Sequence, residues 1–455
     1  MSATTAPILN PPVVPAFETP AVQRTPELPP GPRYPRAVQT VGWVRRPFAF
    51  MEQCHERYGD MFTLRIAQEG TWVFLAHPDY VKEVFTGDPK VLHAGEGNAV
   101  LGPILGSSSV LLLDEKPHLR ERKLLLPPFH GERMQRYGDL MAEIAAEEIA
   151  TWPTGTPMPL WPRMQDVTLE VIMRAVFGVN DASRLDTLRA ELQTMLKRIA
   201  TPSTMALLAL LGPDRMRNVN WITRVLAPVD RLIHEEIRRR RDASDLADRE
   251  DILSLMLQAR YEDGSPMSDD ALRDELMTLL LAGHETTATA LGWAVERLVR
   301  HPEKLERLRD HDASGEYADA VIKETLRLRP VLPIVVRKLT EDWEVGGRLL
   351  PKGATVAPCI HLIHRREDVY PDPRAFRPER FLERPAGTYT WIPFGGGVRR
   401  CLGASFAQFE MKVVLRELVA RTRLTAPDAA AERVSRRAIT LTPSGGAQVV
   451  VERAA

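Results

Sequence analysis

The amino-acid sequence predicts a mainly α-helical protein with a small β-rich lobe. Two observations carry that reading. Apolar residues recur at helical spacing over most of the chain, and alternating, strand-like stretches cluster near residues 61–76, near 331–356 and at the C-terminus. The composition breaks once, after a proline-rich tail, and no internal repeat divides the rest. A length of 455 residues alone would suggest about three domains.

The first 27 residues, with prolines at 7, 11, 12, 15, 20 and 26, read as a disordered, partly polyproline tail. Residues 36–60 carry a helical pattern, with Phe48, Met51, Cys54 and His55 at turn spacing. Met61–Ile66 and Thr71–Ala76 alternate about Gln68-Glu69-Gly70 and predict a β-hairpin. Helix resumes at Pro78–Phe85. Residues 86–112 are glycine-rich, then apolar at Val110–Leu113, and predict a loop over a pocket. Lys116–Phe129 reads as a basic helix with His118 and Arg122 on one face. Helical patterns continue over 132–152, 164–177 and 182–200. Residues 201–227 hold an apolar patch, Leu207 to Leu211, ended by Gly212-Pro213, and read as a lid or a packed loop. Val229–Asp242 is a basic helix whose Arg238–Arg241 run reads as a solvated face.

Ser268–Arg300 is the longest helical signal. Ser268 caps it, Asp269 and Asp270 suit its positive end, and its middle is apolar nearly all round, which marks a buried helix. Further helix covers 303–310 and 317–328. An extended apolar stretch follows at Val331–Val336, then a hairpin over Trp343–Val356 turning at Gly346-Gly347. Tyr370–Phe381 is irregular. A last long helix opens at Cys401 and runs to about Arg421, and Thr440–Ser444 and Gln448–Glu452 read as edge strands.

Charge and cysteine content exclude several functions. Sixty basic residues balance sixty acidic ones, which argues against bulk nucleic-acid binding. Cys54, Cys359 and Cys401 are too few and too scattered for a disulfide framework, a zinc site or an iron–sulfur cluster, and a reducing cytoplasm fits them. No run of about 18 apolar residues exists, so no membrane span or signal peptide is expected.

One cysteine has an unusual setting. In FGGGVRRCLG (Phe394–Gly403), Cys401 follows three glycines and two arginines and precedes a helical pattern. Glycines allow close backbone approach to a flat ligand. The helix start and the arginines favour thiolate over thiol. A buried structural cysteine beside a turn is the plainer alternative. The spacing Phe394, Gly397, Arg399, Cys401, Gly403 resembles the haem-ligand loop of the cytochrome P450 superfamily, the haem-thiolate monooxygenases. Three further patterns resemble that family, in its order. Ala282-Gly283-His284-Glu285-Thr286-Thr287 is similar to its oxygen-activation motif, Lys323-Glu324-Thr325-Leu326-Arg327 to its core ion pair, and Pro378-Glu379-Arg380-Phe381 to the segment bearing a third charged partner.

The resemblance implies one prism-shaped haem domain over 28–455, which replaces the three-domain expectation. It implies haem b between the central helix and the Cys401 helix. Cys401 would be the iron ligand, with Gly283, Phe394 and Gly403 giving the cofactor room. His118, Arg122, Arg337 and Arg399 would meet its propionates, although no tryptophan stands beside His118 as the family often has. Thr286 would hydrogen-bond bound dioxygen and Glu285 would relay protons. Glu324, Arg327 and Arg380 would hold the cysteine loop. His284 is not expected to be a ligand. Leu280, Ala282, Val110–Leu113, Val331–Val336 and Thr440–Ser444 would line the pocket. Leu28–Pro35 is similar to the hinge after the membrane anchor of microsomal members, but no anchor is expected here.

The implied activity is insertion of one oxygen atom from O₂ into a C–H or C=C bond of a lipophilic small molecule: a fatty acid, a terpenoid or a steroid-like compound. The length leaves no room for a flavin or nicotinamide domain, so electrons would come from a ferredoxin with an NAD(P)H-dependent reductase, meeting the basic 118–123 helix and Arg400. A cytoplasmic monomer is expected. A peroxide-using or isomerising haem-thiolate enzyme, and a non-catalytic gas-binding haem protein, remain open alternatives. Glu285-Thr286 counts against the first and the lack of an output module against the second.

Overall fold

The computed structural model describes residues 25–67, 69–129, 133–178, 182–199, 220–310, 312, 314–437 and 439–453. The expected tail up to residue 24 and the apolar patch of 201–219 lie outside the described residues.

Thirteen helices of seven or more residues form the body among the described residues: α1 (Arg36–Arg45), α2 (Pro47–Tyr58), α3 (Pro78–Thr86), α4 (Glu115–Leu125), α5 (Arg133–Ala150), α6 (Leu160–Phe177), α7 (Ala182–Ile199), α8 (Asn220–Arg241), α9 (Ile252–Gln258), α10 (Asp269–Val299), α11 (Pro302–Asp310), α12 (Glu316–Leu328) and α13 (Ala404–Arg421). Helix α10 is the axis. The Ser268 hydroxyl accepts from the Ala271 N–H at 3.1 Å and starts it, and α6 packs along its length. Helices α12 and α13 pack on its other sides, and α5 backs α13. Most of α10 is buried, as its all-round apolar middle predicts.

The strands are β1 (Met61–Ile66), β2 (Gly70–Leu75), β3 (Leu92–His93), β4 (Pro157–Pro159), β5 (Arg337–Leu339), β6 (Trp343–Val345), β7 (Arg348–Leu350), β8 (Thr355–Pro358), β9 (Thr422–Thr425), β10 (Val434–Arg437), β11 (Thr440–Pro443) and β12 (Gln448–Arg453). A five-stranded sheet runs β1-β2-β8-β5-β3, with β2 and β8 parallel. The hairpin β1–β2 pairs Met61 with Leu75 through Ile66 with Gly70, as expected.

Several expectations shift. The 343–356 hairpin closes at Leu350, because Thr355–Pro358 leaves it to pair with β2 and β5. Strand β12 is the middle of a three-stranded sheet rather than an edge, since β4 and β9 flank it and Val449 and Val451 point into the core. The 86–112 loop contains short helical turns at Ala94–Gly97 and Gly102–Leu105. The Arg238–Arg241 run is not wholly solvated. Arg240 is buried, where its guanidinium meets Asp251, Ser254, Glu236 and the Phe177 carbonyl.

Candidate active site

The cysteine loop is pressed between the end of α3 and the start of α13. Gly395 and Gly397 take φ of 66° and 64°, which few residues other than glycine adopt. A Cβ on Gly396 would stand 2.2 Å from the Phe85 ring, and one on Gly397 would stand 2.1 Å from the Phe85 carbonyl oxygen. The chain then closes on itself. The Arg400 N–H donates to the Gly397 carbonyl at 3.1 Å, and the Cys401 N–H to the Phe394 carbonyl at 3.0 Å. Helix α13 begins at Ala404, three residues after the cysteine, so Cys401 sits in the turn before the helix instead of opening it.

The thiol lines a hollow. Cys401 has open surface, yet protein atoms crowd round it as densely as round a core residue. Ala282 is likewise open, although it lies midway along buried α10. Burial raises the Cys401 thiol pKa, against the pull of the Gly403 N–H, Arg122 and Arg400. The expected bias toward thiolate is therefore present but outweighed.

His118 and Arg122 from α4, Arg337 from β5 and Arg399 from the loop form one cluster. Burial, then Arg399, Arg122 and Arg337, push the His118 pKa down to about 3, so the imidazole is neutral. Burial and Arg399 push Arg337 down to about 10, with Asp114 opposing. Arg399 donates to the Val110 carbonyl at 3.2 Å, to the Leu113 carbonyl and to Asp114. Arg122 donates to the Arg400 carbonyl at 2.7 Å. Buried Arg337 makes one side-chain hydrogen bond among the described residues, to the adjacent Val336 carbonyl at 2.8 Å. Among these three guanidinium groups, Asp114 pairs with Arg399 and acts on Arg337, and Arg122 meets no carboxylate among the described residues. Buried cations need anionic partners, and two carboxylates would neutralise the excess. A haem, with two propionates and an iron for the thiol, fits this donor set.

Helix α10 supplies the other wall. It runs unbroken through Gly283, so the expected loosening of its ladder is limited to one side-chain bond, Thr286 Oγ1 to the Ala282 carbonyl at 2.5 Å. Gly283 packs against α6, where an added Cβ would stand 2.6 Å from Ile172 Cδ1 and oblige that side chain to move. His284 is buried toward α6, where the Thr168 hydroxyl donates to its carbonyl at 3.0 Å. Glu285 accepts from the Thr440 hydroxyl at 2.9 Å and lies 3.8 Å from the Arg437 guanidinium. Burial raises the Glu285 pKa, and Arg437 and Thr440 hold it back.

Glu324, Arg327 and Arg380 meet in the core. Arg327 Nε and Nη2 donate to the two Glu324 oxygens at 2.7 and 2.8 Å, and Arg380 Nε reaches Glu324 Oε1 at 3.1 Å. The other Arg327 N–H groups donate to the carbonyls of His364, Pro373 and Ala375. His364, held neutral by burial, donates from Nδ1 to the Arg327 carbonyl and accepts the Ile392 N–H at Nε2. Trp391 Nε1 donates to the Lys323 carbonyl at 3.1 Å. The strand of chain entering the cysteine loop is thereby fastened to α12.

Of the expected pocket lining, Ala282, Leu111–Leu113, Leu332, Ile334 and Val335 keep open surface, whereas Leu280, Val110, Val331, Val336 and residues 440–443 are packed in the core. Sequence reasoning did not single out Asp114, Phe85, His364 or Arg437. Asp114 alone had a visible signal, one of two acids at the start of a basic helix. The basic patch is smaller than expected, because Arg120 pairs with Asp263 and stacks on Tyr261, and Lys123 pairs with Glu262.

The family model described as cytochrome P450 matches residues 28–451. A putative cytochrome P450 135B1 from Mycobacterium tuberculosis is 44% identical over 434 residues, covering 93% of this chain and 91% of its own. A putative cytochrome P450 138 from the same species is 39% identical over 448 residues, covering 97% and 99%. Among solved structures, a retinoic acid-bound cyanobacterial CYP120A1 superposes with a TM-score of 0.79 at 24% identity, covering 94% of this chain and all of that one.

Proposed function

Given that this chain belongs to the cytochrome P450 family of haem monooxygenases, we propose that Cys401 ligates the iron of haem b and that the enzyme oxygenates a lipophilic small molecule with electrons from a ferredoxin. When bound, the haem supplies the oxygen-activating chemistry, and a thiolate ligand favours O–O cleavage. The observation that carries the reading is the cation cluster around buried Arg337, beside a thiol that opens on a hollow.

The residues then have separate tasks. Arg337, Arg399 and Arg122 hold the propionate edge as charges, while neutral His118 donates a hydrogen bond there. The hydroxyl of Thr286 stands at the hollow, one residue from Glu285, and can turn from its own helix carbonyl toward a bound ligand. Glu285 hands it a proton, and burial raises its pKa, which favours the protonated form over an exposed carboxylate's. Thr440 and Arg437 fix where the carboxyl points. The apolar open side chains of Ala282, Leu112 and Val335 support a lipophilic substrate. Among the described residues no helix is long and apolar enough to cross a membrane.

Reconstitution with haem tests the ligand: a thiolate-type carbon monoxide spectrum is expected, and its survival in Cys401→Ser would refute the assignment. Turnover with NAD(P)H, a ferredoxin and its reductase tests the reaction, and a spin-shift screen of fatty acids, terpenoids and steroids tests the substrate class. Charge reversal at Arg400, exposed and free of ion pairs among the described residues, should slow the first reduction at low salt.

A further inference from the structure

Helix α1 is inverted for a surface helix. Its inner face is polar and aromatic. Gln39 Nε2 donates to the Pro32 and Tyr34 carbonyls, its Oε1 accepts the Arg65 N–H, and Trp43 packs edge-on against Trp72 and Phe74. Its outer face carries Val38, Val41 and Val44, with Tyr34 one turn earlier. The spacing puts the three valines on one side, and exposed Tyr34 stands just before the helix. Each is 49–55% exposed, and together they make four of the nine large apolar side chains exposed among the described residues. Valine is also a poor helix former, so neither burial nor helix propensity accounts for the stripe.

Cations frame it. Arg33, Arg36, Arg45 and Arg46 flank the valines, and Arg65 lies on the neighbouring strand β1. Each is exposed, and among the described residues none lies within ion-pair distance of a carboxylate. No acidic residue occurs between Leu28 and Met51. An apolar stripe framed by unpaired arginines suits a surface with an apolar interior and a negative skin. The area also favours lipid over protein. A ten-residue helix is about 15 Å long, and one face of it falls well short of the roughly 800 Å² per partner that stable protein interfaces bury.

We propose that α1 docks this protein on anionic lipid, lying in the plane of the interface with Tyr34, Val38, Val41 and Val44 in the acyl boundary and the arginines at the headgroup phosphates. The haem-loaded full chain is to be floated with vesicles of phosphatidylcholine alone and of phosphatidylcholine with 30% phosphatidylglycerol. Binding is expected to the second and to be at least tenfold weaker to the first. High salt, and Arg45→Gln with Arg46→Gln, should each weaken it severalfold. Val38→Asp with Val41→Asp should abolish it while the carbon monoxide spectrum, which reports the fold, stays unchanged. A wild-type chain that ignores both vesicles overturns the proposal, as does binding that survives the valine substitutions. Self-association lost on Val41→Asp, without vesicle binding, would assign the stripe to a second copy of the chain and overturn it too.

Discussion

Substituting Glu324 tests whether the core ion pair is a charge contact or a clamp on the cysteine loop. Arg327 is fully buried and uses all five N–H groups, two on Glu324 and three on the carbonyls of His364, Pro373 and Ala375. In Glu324→Gln the buried charges of Arg327 and Arg380 lose their carboxylate, which costs about 3–5 kcal/mol. That is a large part of the 5–15 kcal/mol that folded proteins typically hold, and it lowers the folded-to-unfolded ratio about 10²- to 10⁴-fold. Urea unfolding, followed by far-ultraviolet dichroism and by haem absorbance, measures it.

The double variant Glu324→Leu with Arg327→Met separates the two ideas. A buried ion pair replaced whole by apolar groups is often neutral. Here three carbonyls would also lose their donor, at about 1–3 kcal/mol each. The double variant should therefore be no more stable than Glu324→Gln and should lose haem at a lower urea concentration than the wild type. A double variant within about 1 kcal/mol of wild type, with haem retained, would refute the clamp and leave a simple charge pair.

Three other outcomes are expected. Gly397→Ala should retain less haem than Gly396→Ala, because its Cβ meets the Phe85 backbone oxygen at positive φ while the other meets only the ring; adding Phe85→Leu should rescue the second and not the first, read by haem absorbance. Glu275 is wholly buried, with Oε1 on the Val110 N–H, and burial pushes its pKa up to about 9. The folded chain then keeps a proton that the unfolded chain releases, so stability falls as pH rises from about 4.5 to 9, by at most about 1.4 kcal/mol per unit; Glu275→Gln should flatten urea midpoints compared at pH 5 and pH 8. Glu285→Gln should cut coupled turnover about 10²-fold, and Thr440→Val, which frees the carboxyl without removing it, should lower product per NAD(P)H less and raise the solvent isotope effect.

Much of the site was legible because its residues are close in sequence. Phe394 to Gly403, Gly283 to Thr286 and Glu324 with Arg327 each lie within one short window, and local spacing is what a single sequence displays. What was missed is held by distant segments. Phe85 touches Gly397 from more than three hundred residues away, and Arg437 approaches Glu285 from a hairpin with strands of four residues, too short for alternation to declare itself. The strands β3, β4 and β5 were unreadable for the same reason. Helix α1 was expected within 36–60, but which of its sides faces inward was not read. A helical pattern is read on the premise that its apolar side faces inward, and here Gln39 and Trp43 face inward while the valines do not.

The raised thiol pKa sharpens what Cys401 is for. A nucleophilic cysteine needs a depressed pKa and a base to take its proton. Cys401 has its pKa raised by burial, and the imidazole in the cluster, His118, is held neutral by burial and by three arginines that resist its protonation. The glycines, the Gly403 N–H and the arginines soften the cost of the thiolate without overcoming it. Such a thiol is chemically quiet until a metal ion displaces its proton, which metal coordination does outright. Under the proposed assignment, the thiolate forms when the cofactor binds. It follows that alkylating agents should react slowly with Cys401 in the haem-free chain even though its surface is open, and rapid alkylation at neutral pH, measured by mass spectrometry, would contradict the argument.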